Sequence, residues 1–142
     1  MSNQTKVLTV ERPSLFRRST SITLRAQGYS VTTASDCESA LNKMVEYMDV
    51  IVVDVSAETF CPEEAVMNLR RRAPHVPVVV VAEGQRVAHI KGRTSANFMI
   101  PEGEDTLVET IHEAYNRARR LRAARAAASA SSPNLVPAPQ AG

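Results

Sequence analysis

Residues Asp49–Val55 read DVIVVDV, in which a run of branched apolar residues follows Asp49 and a second acidic residue, Asp54, lies near the carboxyl end. A strand this apolar has no polar side to turn toward water, so it predicts burial on both faces of a sheet. Val76–Ala82 (VPVVVVA) has the same character, and Lys6–Val10 (KVLTV) is a shorter run of the same kind. Because such burial is typical of parallel sheets covered by helices, these runs predict an α/β fold.

The other segments predict two more strands and the helices that cover the sheet. Tyr29–Thr33 (YSVTT) and Asn97–Ile100 (NFMI) are short runs that favour strands. Apolar residues at spacings of three and four favour helices in the segments between the strands. These helices are expected over Ser14–Gln27, Asp36–Met48, Pro62–Arg72 and from Asp105 to at least Leu121. Strands alternating with helices predict a five-stranded parallel sheet with helices on both faces.

Composition excludes several classes of protein. The chain has 142 residues, of which 44% are hydrophobic, enough for one domain with its own core. No apolar run is long enough to cross a bilayer and the N-terminus has no apolar signal region, so we expect a cytoplasmic protein. The cysteines, Cys37 and Cys61, lack the paired spacing of a zinc or redox motif, and the three histidines are scattered. We therefore expect neither a metal nor a cofactor.

Five arginines crowd into a short stretch near the C-terminus. They are Arg117, Arg119, Arg120, Arg122 and Arg125. Three interpretations stay open: a solvated helix end, a site where arginine forks bind an anion, and a helix that continues toward a partner. DNA binding is not expected, because the chain has no recognition-helix motif. Residues 126–142 are small, polar and proline-bearing, which predicts a disordered tail or linker after a domain over residues 1–125.

The order and spacing of these segments resemble the receiver domain of two-component response regulators. The resemblance covers roughly Lys6 to Arg122 and rests on VLTVERPSLFRR, DVIVVDVS, VPVVVVA and IPEGEDTLVETI. It implies a flavodoxin-like fold and a signalling role exerted through a protein partner, such as a histidine kinase or an output protein. The apolar stripe of the last helix would also suit a homodimer. The arginine segment is similar in composition to receiver-like proteins that bind cyclic di-GMP, which makes a cyclic dinucleotide a candidate ligand.

The resemblance also implies where a phosphoryl group would be accepted. Asp54 matches the phosphoacceptor, and Glu11 matches the first of two acids that hold Mg²⁺. Arg12 stands in the place of the second acid, Ala82 in that of a hydroxyl residue and Ile100 in that of a lysine. Phosphoryl transfer depends on a metal and fixed donors that neutralise the transferred oxygens. These replacements predict a pseudo-receiver, not an enzyme, that binds Mg²⁺ poorly; a working phosphoacceptor at Asp54 is the alternative.

Two further expectations concern the surroundings of this degenerate pocket. The segment between Ala82 and Ile100 is about one helical turn shorter than the family usually shows, so its helix is expected to be short or irregular. Arg12 is hypothesised to reach toward Asp54, and its fixed positive charge would then take the place of the metal.

Overall fold

The computed structural model of the chain describes residues 4–11, 20–54, 62–82, 98–101 and 104–130. Arg12, most of the segment between Ala82 and Ile100, and the tail from residue 131 onward lie outside the described residues. The predictions that fall on them, including the short or irregular helix, stay predictions.

Parallel strands form the centre of the domain. They are β1 (Lys6–Val10), β2 (Ser30–Ala34), β3 (Val50–Asp54), β4 (Val78–Ala82) and β5 (Phe98–Pro101), in the order β2-β1-β3-β4-β5. Each pair of neighbouring strands is parallel. Every residue of β3 is buried, as expected for a strand covered on both faces. The predicted α/β class and parallel sheet are confirmed.

Two apolar clusters lie on opposite faces of this sheet. The helices are α1 (Thr20–Ala26), α2 (Cys37–Ala40), α3 (Pro62–Arg72) and α4 (Glu104–Ala130). Ile51 and Val53 of β3 belong to the cluster that contains residues of α2 and α3. Val50 and Val52 belong to the cluster that contains residues of α1 and α4. Alternate residues of one strand therefore serve both cores, because successive side chains point to opposite faces.

Helix α1 ends at the glycine where the sequence predicts a stop. Gly28 has φ 95°, a left-handed conformation that glycine adopts without a Cβ penalty. Its backbone amide donates to the Arg25 carbonyl at 3.0 Å, and the Tyr29 amide donates to the Leu24 carbonyl at 3.1 Å. These bonds satisfy the last carbonyls of the helix and turn the chain into β2.

The prediction of one helix over Asp36–Met48 is wrong. Asp36 caps α2 as expected, since its carboxylate accepts a hydrogen bond from the Ser39 amide at 2.7 Å. However, α2 ends at Ala40, Met44 adopts a left-handed conformation with φ 56°, and a 3-10 helix follows over Val45–Tyr47. Val45 is still buried in the core. The apolar spacing identified the buried side chains correctly but did not reveal that a turn, and not a continuous helix, buries them.

Helix α4 is longer than predicted, and its last twelve residues are exposed. Four residues of its predicted apolar stripe are buried: Leu107, Ile111, Ala114 and Ala118. The next residue of that stripe, Leu121, is 50% exposed, and all residues from 119 to 130 are exposed. Residues 126–130, predicted to be tail, are helical because alanine has the highest helix propensity. This exposed part, residues 119–130, is about 18 Å long at 1.5 Å per residue. No helix among the described residues has both the length and the apolarity to cross a bilayer.

Candidate functional site

Asp54 lies at the carboxyl end of β3, in the middle of the sheet. It lies opposite Val81 of β4, and the preceding residue, Val53, lies opposite Val10 of β1. This is the predicted position, between the strands that contain Val10 and Val80. Asp54 is only 4% exposed. The carboxyl edge of a doubly wound sheet is where ligands and chemistry gather, so a buried carboxylate at this position marks the candidate site.

Glu11 follows β1 directly, one residue after Val10, and Val10 pairs with Val53, the residue before Asp54. Its Oε2 accepts a hydrogen bond from the Thr20 amide at 2.8 Å, and its Oε1 accepts one from the Ser21 amide at 3.0 Å. These amides belong to the first turn of α1, where helical N–H groups have no partner within the helix. A carboxylate is also favoured there by the helix dipole. Glu11 therefore caps α1 across a gap of eight residues.

Sequence reasoning missed this capping role. It matched Glu11 only to the first of the two acids that hold Mg²⁺ in receiver domains. Local capping signals look for Ser, Thr, Asp or Asn immediately before a helix. Glu11 lies nine positions before Thr20, so only the folded backbone brings the two together.

Replacing Glu11 with Ala is expected to lower the free energy of unfolding by about 1–2 kcal/mol, because two helix amides lose their acceptor. Glu11→Gln keeps one acceptor oxygen and should cost less. Glu38→Ala, which removes an exposed acid from the first turn of α2, is the matched control and should change stability by about 0.5 kcal/mol or less. Urea unfolding followed by circular dichroism measures all three. Equal losses for Glu11→Ala and Glu38→Ala would contradict the capping role.

The backbones of Ala82 and Ile100 reach the same edge of the sheet. Ile100 lies opposite Val81, which in turn lies opposite Asp54. Ala82 ends β4, one residue further along. The fold therefore brings together four of the five positions of the predicted pocket. The fifth, Arg12, follows Glu11 in sequence and lies outside the described residues.

Among the four pocket positions that the structure describes, Glu11 and Asp54 carry the carboxylate oxygens that a receiver-type Mg²⁺ site requires. Mg²⁺ requires oxygen ligands in near-octahedral geometry. Both side-chain oxygens of Glu11 already accept amide hydrogen bonds, and neither alanine nor isoleucine carries a side-chain oxygen. In the part of the chain that the structure describes, no three His, Cys, Asp or Glu residues are grouped so that they could hold a metal ion.

The arginines of α4 fall into two sets that the sequence did not separate. Arg117, Arg122 and Arg125 line a groove at the other edge of the sheet. Arg119 places its guanidinium over the ring of Tyr115, 5.5 Å from the ring centroid, which is a cation–π geometry. Arg120 is exposed and, like Arg119, does not line the groove. Cyclic di-GMP binding by this segment stays a prediction.

The fold is shared with receiver domains of known structure. NtrX from Brucella abortus, in complex with ADP, aligns with a TM-score of 0.71 at 19% identity over 86% of this chain, which spans 28% of that chain. A response regulator receiver domain protein from Clostridium thermocellum gives 0.65 at 18% identity, over 82% of this chain and 98% of that one. The chemotaxis response regulator CheY4 of Vibrio cholerae gives 0.63 at 27% identity, over 78% and 98%. The sequence matches no family model and no curated protein. The chain thus has a receiver-like fold.

Proposed function

We propose that this protein is a regulatory module of the two-component receiver class, which acts by binding a protein partner and has little or no Mg²⁺-dependent phosphorylation. Its domain is then a five-stranded, flavodoxin-like pseudo-receiver. The observation that carries the proposal is the engagement of Glu11: the acid at the metal position already holds the first turn of α1 through both oxygens. A Mg²⁺ ion would have to compete with those amides. The partner is a histidine kinase or an output protein, and a homodimer is compatible with this role.

Arg12 is the second residue on which the proposal depends. It follows Glu11, in the place of the second metal-binding acid. A guanidinium is charged at every physiological pH, so near Asp54 it would repel a divalent cation. In this proposal Arg12 takes the place of the metal and holds the site in one state.

A Mg²⁺ titration tests the proposal. The wild-type protein is expected to show no saturable shift of the Glu11 and Asp54 amide resonances at millimolar Mg²⁺. Arg12→Asp should create such a shift, because it restores an acid and removes a positive charge. Arg120→Asp makes the same charge change on the exposed part of α4 and should not. Saturable Mg²⁺ binding at Glu11 and Asp54 of the unmodified protein would overturn the proposal.

Two alternatives have a specific observation in their favour. Asp54 stands at the carboxyl end of β3, where a phosphoacceptor belongs, which supports a phosphorylated response regulator. The arginine segment has three residues on one groove, which supports a sensor of cyclic di-GMP or another anionic nucleotide. Acetyl phosphate tests the first alternative and nucleotide titration tests the second.

A further inference from the structure

A groove with a cavity volume of about 220 Å³ lies between α4 and the turn that leads from α3 into β4. Arg70, near the carboxyl end of α3, lines one side, and Arg117, Arg122 and Arg125 line the side formed by α4. His75, in the turn, completes the polar lining. We call this the basic groove.

The basic groove carries a concentrated positive charge. It has four arginines, which stay charged at any physiological pH. None of its described lining residues is acidic. Within the described part of the chain, Arg122 and Arg125 form no ion pair. A concave surface lined by charges of one sign focuses the field and raises the local concentration of anions.

The spacing along α4 explains why only some of its arginines reach the groove. Arg117 and Arg125 are two helical turns apart, with Leu121 between them on the same face. Arg122 lies one turn beyond Ala118, which also lines the groove. The groove-lining arginines of α4 extend over about 12 Å, eight residues at 1.5 Å each. This length is enough for more than one anionic group.

The opposite wall is held in place by contacts behind it. The Nε2–H of His75 donates a hydrogen bond to the Glu46 carbonyl at 2.9 Å. The Glu46 carboxylate lies 3.8 Å from the Arg72 guanidinium. Pro74 and Pro77, which flank this turn, have fixed backbone φ angles. A wall that is ordered before binding costs a ligand less conformational entropy.

The lining between the arginines is apolar. Val76, Ala114 and Ala118 are buried, and Leu121 is half exposed. The cavity is smaller than most pockets for drug-sized ligands, which hold about 300–1,000 Å³. It therefore suits phosphate groups together with only part of a larger molecule.

We propose that the basic groove binds a small phosphate-bearing molecule, whose phosphate oxygens are held by Arg70 and by the three groove-lining arginines of α4. Arginine forks match phosphate oxygens in geometry as well as in charge. This proposal extends the nucleotide-sensor alternative, and the class of ligand is the only part of that alternative on which it rests. It adds Arg70 of α3 to the site and excludes Arg119 and Arg120.

This site is separate from the Asp54 edge. Pro77 precedes β4 and so lies at the amino edge of the parallel sheet, whereas Asp54 pairs with Val81 near the carboxyl edge. Pro77 and Val81 are four residues apart along the strand, which corresponds to about 13 Å. A ligand bound in the groove would therefore not contact Asp54.

The test is titration of the full-length protein with inorganic pyrophosphate at low ionic strength, followed by ¹⁵N NMR. Saturable shifts are expected at Arg122, Arg125 and Val76. Arg122→Ala and Arg70→Ala should each weaken binding by about tenfold or more, because each removes a charge-assisted hydrogen bond. Arg120→Ala removes the same charge from the same helix outside the groove and should weaken binding by about twofold or less. Adding sodium chloride to the same ionic strength should not reproduce the shifts.

The site would be contradicted by the absence of a saturable shift, by equal losses for Arg120→Ala and Arg122→Ala, by reproduction of the shifts with chloride, or by tight binding of duplex DNA without binding of pyrophosphate. Parallel titration with cyclic di-GMP separates this inference from the sensor alternative. Binding of pyrophosphate but not of cyclic di-GMP keeps the groove and rejects cyclic di-GMP as its ligand. Cyclic di-GMP shifts confined to Arg119 and Arg120 would keep the sensor and reject the groove.

Discussion

Acetyl phosphate with Mg²⁺ is expected to leave Asp54 unphosphorylated over a time in which a receiver with a complete site is fully modified. Loss of one preorganised donor commonly costs about 10²–10³ in rate. The resemblance to receiver domains implies that Ala82 stands in the place of a hydroxyl residue, Ile100 in that of a lysine, and Arg12 in that of a metal-binding acid. In addition, both side-chain oxygens of Glu11 accept hydrogen bonds from amides in the first turn of α1. We expect a rate at least about 10³-fold lower, because the losses act on the same charge.

Intact-mass spectrometry measures this directly, as the mass of one phosphoryl group. The triple variant Arg12→Asp, Ala82→Thr, Ile100→Lys should regain modification if these replacements are the cause. Adding Asp54→Asn to the triple variant is its control and should abolish the gain. Rapid modification of the unmodified protein, lost in Asp54→Asn, would instead establish the phosphoacceptor alternative. A folded triple variant that stays unmodified would show that something other than these residues blocks the reaction.

Replacing Ile111 with Ala is expected to lower the free energy of unfolding by about 2–5 kcal/mol, a large fraction of the stability of a typical domain. Ile111 is 0% exposed and belongs to the cluster in which α4 meets Leu24 of α1 and Val79 of β4. The substitution removes buried apolar surface and leaves a cavity that the rigid sheet cannot collapse to fill. Urea unfolding gives the change in free energy.

Leu121→Ala is the matched control, since it shortens an apolar side chain on the same stripe of the same helix. Leu121 is 50% exposed, beyond the last buried residue of α4, so we expect a loss of about 1 kcal/mol or less. Similar losses for both variants would show that the side chain of Leu121 is packed against the domain. That result would contradict the exposure of residues 119–130.

Part of the fold could be predicted because it depends on the local apolar character of the chain. Val50–Asp54 and Val78–Ala82 have no polar face, so they had to lie inside a covered sheet. Gly28 was recognised as a stop because its left-handed backbone suits glycine. The helix over Asp36–Met48 could not be rejected in this way, because a helix and a turn followed by a 3-10 helix can bury the same apolar residues.

The candidate site was predicted in position but not in its contacts. Asp54 could be placed at a carboxyl edge because parallel strands end there together. The capping role of Glu11 could not be predicted, since its partners at Thr20 and Ser21 are brought near by the path of the chain between β1 and α1. The Mg²⁺ titration tests the role proposed for Arg12, which lies outside the described residues.

The sequence by itself determined the α/β class, the parallel strands and the edge where Asp54 lies, because these follow from which residues avoid water and in what order. Only the tertiary structure decided that the Glu11 carboxylate accepts hydrogen bonds from amides in the first turn of α1. It also decided which arginines share a groove, because Arg70 and Arg122 are 52 positions apart in sequence and meet through the packing of α3 and α4 around the sheet. Which residues are buried can be predicted from the types of residue and their spacing, whereas contacts between distant side chains depend on how the helices and strands pack.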